Sequence, residues 1–184
     1  MKNPTSALAA FTLVLFCCYG CQTASQQFPQ TWGTVAFETP IPFSPPTELG
    51  LDAVSMQNPP ESTPGKGKLE LTLVRVSRDM AESLDAASIP LQGYLTGTFL
   101  GLSKEGEPSM QRTFLQKPVP GERISTSIPT PAEWEYYLVP LSGGNMIFIA
   151  LRRDASTPAD EAAQVLDMIA ETLRETGTDA DNDK

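Results

Sequence analysis

Residues 157–174 read as a helix with a single apolar stripe, and that stripe dictates the architecture. Ala162, Val165, Leu166, Ile169 and Leu173 recur at helical spacing on one face. Thr157 is placed to cap the helix and Pro158 suits its first turn. Asp160 and Glu161 suit the positive end of its dipole, and Gly177 can terminate it. A helix of this kind needs an apolar surface to lie on. Four strand-like runs precede it, at 110–117, 122–128, 134–141 and 145–152, and Ser142-Gly143-Gly144 is a good hairpin turn between the last two. Connections this short favour an antiparallel meander. The expected fold class is therefore α+β: an antiparallel sheet meander with the C-terminal helix packed across one face.

Upstream, Leu69, Leu71, Leu73 and Arg75 alternate with Glu70, Thr72, Val74 and Val76, which predicts a half-buried strand over 68–76. Residues 78–87 suit a short helix. Over 91–102, Leu91, Tyr94, Leu95, Thr98, Phe99 and Leu102 have helical spacing, although Gly93, Gly97 and Gly101 each weaken a helix by about 1 kcal/mol. Residues 32–37 predict a first strand. Prolines at 40, 42, 45, 46, 59, 60 and 64 then punctuate an irregular region, with one short strand around 51–56. One α+β domain is expected over 32–177, followed by a disordered acidic tail over 178–184.

The N-terminus has a different character. Lys2 is the one charged residue before an apolar run from Ala7 to Tyr19, broken only by Thr12. A basic start and an apolar core of about 7–15 residues make a secretory signal, and the run is shorter than the roughly 20 residues a membrane span needs. Gly20-Cys21 closes it at the distance from Met1 seen in the lipobox of bacterial lipoproteins, which this segment resembles, with Cys18 and Tyr19 departing from the usual leucine and small residue. The resemblance implies a signal peptide over 1–20, diacylation of the Cys21 thiol, and a lipidated tether over 21–31. It also implies, through Gln22 in place of aspartate, the periplasmic face of the outer membrane if the cell is Gram-negative. Ordinary cleavage near Thr23-Ala24-Ser25 is the alternative.

Composition narrows the function. Removing residues 1–20 takes one lysine and no acid, and leaves 164 residues with 12 basic against 22 acidic side chains. That balance disfavours nucleic acid, which rewards basic surfaces, and leaves membrane affinity to an acyl anchor. All three cysteines lie at or before Cys21, so the mature domain has neither disulfide nor free thiol. The chain has no histidine. This removes the Ser-His-Asp and Cys-His constellations and the histidine-based zinc sites. There is no Ser-x-x-Lys motif. No catalytic residue, metal or cofactor is expected.

The remaining candidates are surfaces. Glu133 and Glu135 flank Trp134 and share a strand face about 6.6 Å apart at Cα. Paired carboxylates at comparable spacing hydrolyse glycosides, but two on one exposed strand point outwards in parallel, so a solvated face is expected. Trp134, Tyr136 and Leu138 take the opposite face. They are expected as core under the C-terminal helix or, if exposed, as an aromatic platform for a sugar or a partner. Gly93, Gly97 and Gly101 recur every fourth residue, which on a helix makes either a groove for a partner or a site of internal packing. Gly65-Lys66-Gly67-Lys68 lacks the remaining positions of a phosphate loop, and the Asp179–Asp183 run lacks the glycine and terminal glutamate of a calcium loop.

The strand runs at 134–152 followed by the helix at 157–174 resemble PsbP-like and DcrB-like exported domains. That likeness implies a non-catalytic role in envelope or membrane-complex assembly. The function expected is a lipid-anchored, non-catalytic binding or assembly module of the bacterial cell envelope, with the membrane and an envelope protein as partners. The alternatives are an envelope hydrolase using carboxylates and a lumenal accessory protein of a photosynthetic membrane complex.

Overall fold

The computed structural model describes residues 26–62, 68–103, 106–127 and 130–177. The signal, Cys21, the glycines of the 65–68 turn and the acidic tail lie outside the described residues.

The chain is α+β. A hairpin of β1 (Phe28–Trp32) and β2 (Val35–Thr39) opens it, followed by β3 (Thr47–Glu48), β4 (Ala53–Asn58) and β5 (Leu69–Val76). Helices α1 (Arg78–Ala86) and α2 (Leu91–Leu100) come next. The meander is β6 (Glu107–Phe114), β7 (Lys117–Thr126), β8 (Ala132–Pro140) and β9 (Met146–Asp154), and the chain closes with α3 (Ala159–Thr172) and β10 (Arg174–Glu175). All seven strands of the main sheet pair antiparallel, in the order β3-β4-β5-β9-β8-β7-β6, and β1-β2-β10 form a second small sheet.

Both faces of the main sheet are covered, which explains why β5 and β9 are buried on alternate and intervening positions alike. On one face Leu69, Leu71, Leu73, Tyr137, Ile147 and Ile149 pack with Val165, Leu166 and Ile169 of α3 and with Val35 and Phe37 of the hairpin. Each of these aliphatic side chains contributes about 1.5–3 kcal/mol by leaving water. On the other face Val74, Val76, Ile124, Trp134, Tyr136 and Phe148 pack under α1 and α2.

Several expectations need correcting. The first strand begins at Phe28 rather than at 32, inside the segment expected as a tether, and Gly33, at φ 54, turns the chain between Trp32 and Val35. The strand expected over 110–117 ends at Phe114, since Leu115 and Gln116 adopt φ 49 and 63 and form a two-residue hairpin. Strand β7 then runs through Pro118 and Pro120, where it pairs with β6; its ladder to β8 is confined to Gly121–Thr126, so the missing N–H groups cost no bond to β8. Thr157 does not cap α3. It is buried, and Asp154 Oδ1 organises the entry turn by accepting from the backbone N–H groups of Ser156 at 2.8 Å and Thr157 at 2.9 Å. Helix α3 ends at Thr172 rather than at Gly177, because β10 adds to the edge of β2.

Candidate functional site

Two constellations stand out: a buried ionic cluster beneath α3, and an open cleft at one pole of the sheet.

The cluster starts from Arg112 on β6, whose side chain points under α3. Its Nε donates to Asp167 Oδ1 at 2.8 Å, and its Nη1 donates to Glu135 Oε1 and the Tyr137 hydroxyl. The other oxygen of Glu135 accepts from Arg123 Nη2 at 2.8 Å, and Tyr137 donates its hydroxyl proton to Oε1. Arg153 on β9 joins Glu133 Oε1 at 3.1 Å to the Thr157 carbonyl at 2.8 Å. Glu135 is therefore no solvated carboxylate. It faces α3 and is 8% exposed, because the face expected to meet solvent is the one the C-terminal helix covers.

Burial by itself would raise the Glu135 carboxyl, yet the hydrogen bonds from Tyr137 and Arg123 and the charge of Arg112 hold it below its ordinary value. Burial and the Glu135 carboxylate push the Tyr137 hydroxyl well up. The ionised form of Glu135 is thus the one the fold stabilises. Its contribution is complete above the unfolded carboxyl value and is lost as pH falls through the lowered folded value. Glu135→Gln is expected to flatten the acid limb of the stability–pH curve between those two values, measured by urea unfolding at stepped pH. An unchanged acid limb would contradict the assignment.

Trp134 and Tyr136 form no exposed platform. They are 7% and 1% exposed and pack under α1 and α2, not under the C-terminal helix. The Tyr136 hydroxyl donates to Glu122 Oε2 at 2.9 Å and accepts from the Gly106 N–H at 2.8 Å. Burial first, and then that carboxylate, pushes it up to about 12, so it stays protonated at neutral pH. Gly93 and Gly97 lie on α2, while Gly101 is its left-handed C-cap at φ 66. A Cβ built at Gly97 would lie 3.8 Å from the Leu102 carbonyl oxygen and one at Gly93 3.9 Å from Pro90 Cβ, both ordinary contacts. No atom lies within 4 Å of one at Gly101, so no neighbour approaches closely enough to require glycine at these positions. The three therefore make no internal packing groove.

The cleft, of about 330 Å³, lies where the β1–β2 turn, the start of β4, the end of β5 and the β8–β9 turn converge. A recess of about 40 Å³ continues it between Trp32, Val35, Leu141 and Ile147. Arg75, next to last in β5, has the same register as Leu69, Leu71 and Leu73 and pairs with Asp52 at 3.2 Å. Glu175 of β10 crosses to the β8–β9 turn, where its carboxylate accepts from the Ser142 N–H at 3.0 Å and from the Ser142 hydroxyl. Beside the cleft, Gly50, Leu51 and Asp52 all have positive φ, at 84, 52 and 54, and Leu49 and Leu51 are 43% and 69% exposed. Two non-glycine residues in that region hold strain of about 1–3 kcal/mol each, a pattern that clusters at binding sites. None of these residues was a sequence candidate. The available signal was Arg75, a charge in register with three core leucines.

Among the described residues no group of three or more acidic side chains could hold a metal, and no helix is long and apolar enough to cross a membrane. No protein-family model matches the sequence, and no curated protein matches it. A crystal structure of the Saccharomyces cerevisiae Ran-binding protein Mog1p matches with a TM-score of 0.55 at 12% identity, over 83% of this chain and 97% of that one. The chain shares the Mog1p fold. At that identity the likeness reaches no further than the fold. A Bacteroides thetaiotaomicron protein matches at a TM-score of 0.46 and 11% identity, over 82% of this chain and 48% of that one, too low to bear on the fold.

Proposed function

We propose that the chain is a lipid-anchored, non-catalytic binding or assembly module of the bacterial cell envelope, tethered through Cys21 and engaging its partner in the cleft at the β8–β9 turn. The observation that carries the binding reading is the cleft itself: a largely polar opening with a carboxylate held by Ser142, continuous with an apolar recess between Trp32, Val35, Leu141 and Ile147, and next to the strained Leu51-Asp52 turn. An apolar recess beside a few placed polar groups is the usual make-up of a binding pocket. The lipobox-like Gly20-Cys21 supports the anchor and, with Gln22, the periplasmic face of the outer membrane in a Gram-negative cell.

A carboxylate hydrolase is the weaker reading. A general base needs a free oxygen, and both oxygens of Glu135 are held by guanidinium groups. A photosynthetic accessory role rests on the PsbP-like resemblance alone. Mog1p binds Ran, but a shared fold at 12% identity brings no partner with it.

Metabolic labelling with palmitate tests the anchor. Wild type should carry label and sediment with membranes, whereas Cys21→Ala should lose both, because two or more acyl chains are what holds such a protein firmly. Label retained by Cys21→Ala would overturn the assignment.

A further inference from the structure

We propose that the cleft receives a short polypeptide segment in which a lysine or arginine lies next to an apolar side chain, so that the partner is a protein; this rests on reading the chain as a binding module.

The charge comes from Glu175. A carboxylate offers about four acceptor positions, and Ser142 engages this one from the side of the β8–β9 turn. No cation among the described residues forms an ion pair with it. The carboxylate is already oriented, so a cation entering the cleft meets a group whose ordering cost has been met on folding. Asp52 adds a second carboxylate, which shares the cleft with Arg75.

The apolar requirement comes from Trp32 and Leu141, both half-buried at the mouth of the recess. An indole and a leucine suit the methylene stem of a lysine or arginine whose head reaches a carboxylate, and the indole face itself attracts a cation. Leu51, 69% exposed, directly precedes the cleft residue Asp52, and Leu49, 43% exposed, lies two residues before it. A small amine bound at Glu175 would leave them uncovered, whereas a peptide running out of the cleft would cover them.

The topology separates this site from the start of the described chain. The described chain enters β1 at Phe28, which pairs with Thr39 at the far end of the hairpin from the Gly33 turn that lines the cleft. The five-residue strand sets the two ends about 15 Å apart. At the Phe28 end the next segment packs near the end of β4, with Asn58 Nδ2 donating to the Pro42 carbonyl at 2.7 Å. The cleft thus opens at the pole away from Phe28, where the described chain enters the fold.

The test is a displayed library of random peptides panned on the full chain in detergent. Enriched sequences should place Lys or Arg within a few residues of Leu, Ile, Phe or Trp. A synthetic enriched peptide should bind wild type at least about tenfold tighter than Glu175→Gln or Trp32→Ala, and alanine at its basic residue should cost as much. Ser142→Ala, which leaves the charge and the backbone N–H bond but removes the hydroxyl that helps to hold the carboxylate, should weaken binding in the same direction by a smaller factor. Thermal melts establish that each variant is folded. Enrichment of acidic or purely apolar peptides, no enrichment over the blank support, or affinity indifferent to Glu175→Gln would each overturn the proposal. So would equal binding of spermidine or of vesicles of zwitterionic lipid. Loss of palmitate labelling at Cys21 would remove the anchor without touching any of these outcomes.

Discussion

Arg112→Ala is expected to lower the stability of the domain by about 3–5 kcal/mol, the range for removing one partner of a buried ion pair. Arg112 is 6% exposed and joins β6 to β8 through Glu135 and Tyr137, and to α3 through Asp167. Its guanidinium also lies 5.3 Å from the centre of the Tyr137 ring. Without it the Glu135 carboxylate keeps Arg123 but loses the cation on its inner oxygen, in a place where water cannot replace it. Asp167 is the lesser loss, since its side chain is 59% exposed. Asp167→Ala should therefore cost no more than about 1 kcal/mol. Urea unfolding followed by tryptophan fluorescence reads both, as a fall in midpoint at unchanged slope. A loss below about 1 kcal/mol for Arg112→Ala would mean that the cluster does not tie the helix to the sheet.

Gly121→Val is expected to destabilise by about 1–3 kcal/mol or more, through overpacking rather than a lost contact. Gly121 pairs across the ladder with Tyr137. A Cβ at this position would lie 2.4 Å from Tyr137 Cε1 and 2.5 Å from its Cζ. The ring cannot swing aside, because its hydroxyl is held by Arg112 and Glu135 and its face by Phe114, centroid to centroid 5.1 Å. The glycine is thus the seat of the ring. In a Tyr137→Leu background the same substitution should cost much less, and the coupling in that double-mutant cycle is the diagnostic quantity. Additive losses would show that the glycine acts through backbone freedom alone.

The parts of this fold legible in the sequence are those whose pattern is local. The stripe of Val165, Leu166, Ile169 and Leu173 names both the helix and the face it buries, and the alternation from Leu69 to Val76 names a strand. The face of β8 was not legible. With both sheet faces covered, alternation distinguishes two faces but not which is wet, and the carboxylates of Glu133 and Glu135 suggested the wrong one. Burial of Glu135 depends on arginines from β6 and β7, which no local window contains. The Leu115-Gln116 turn was silent for a related reason: it carries none of the Asn-Gly or Asp-Gly chemistry that announces a two-residue hairpin, and Leu115 packs partly against the core. The cleft is assembled from five separate chain segments. Arg75, a charge where the register calls for an apolar residue, was the one local signal available, and the alternation marked it only as part of a strand.

In the proposed function the domain is a tethered binding module whose partner sits in this cleft. Crosslinked pull-down from intact cells, using a C-terminal tag, tests it most directly when wild type is compared with Cys21→Ala and Glu175→Gln. The account predicts a discrete complex with wild type, the same partner absent or much reduced with Glu175→Gln although the protein remains in the membrane, and loss from the membrane fraction with Cys21→Ala. Equal recovery of the same partner with Glu175→Gln, or no specific partner with wild type, would contradict it.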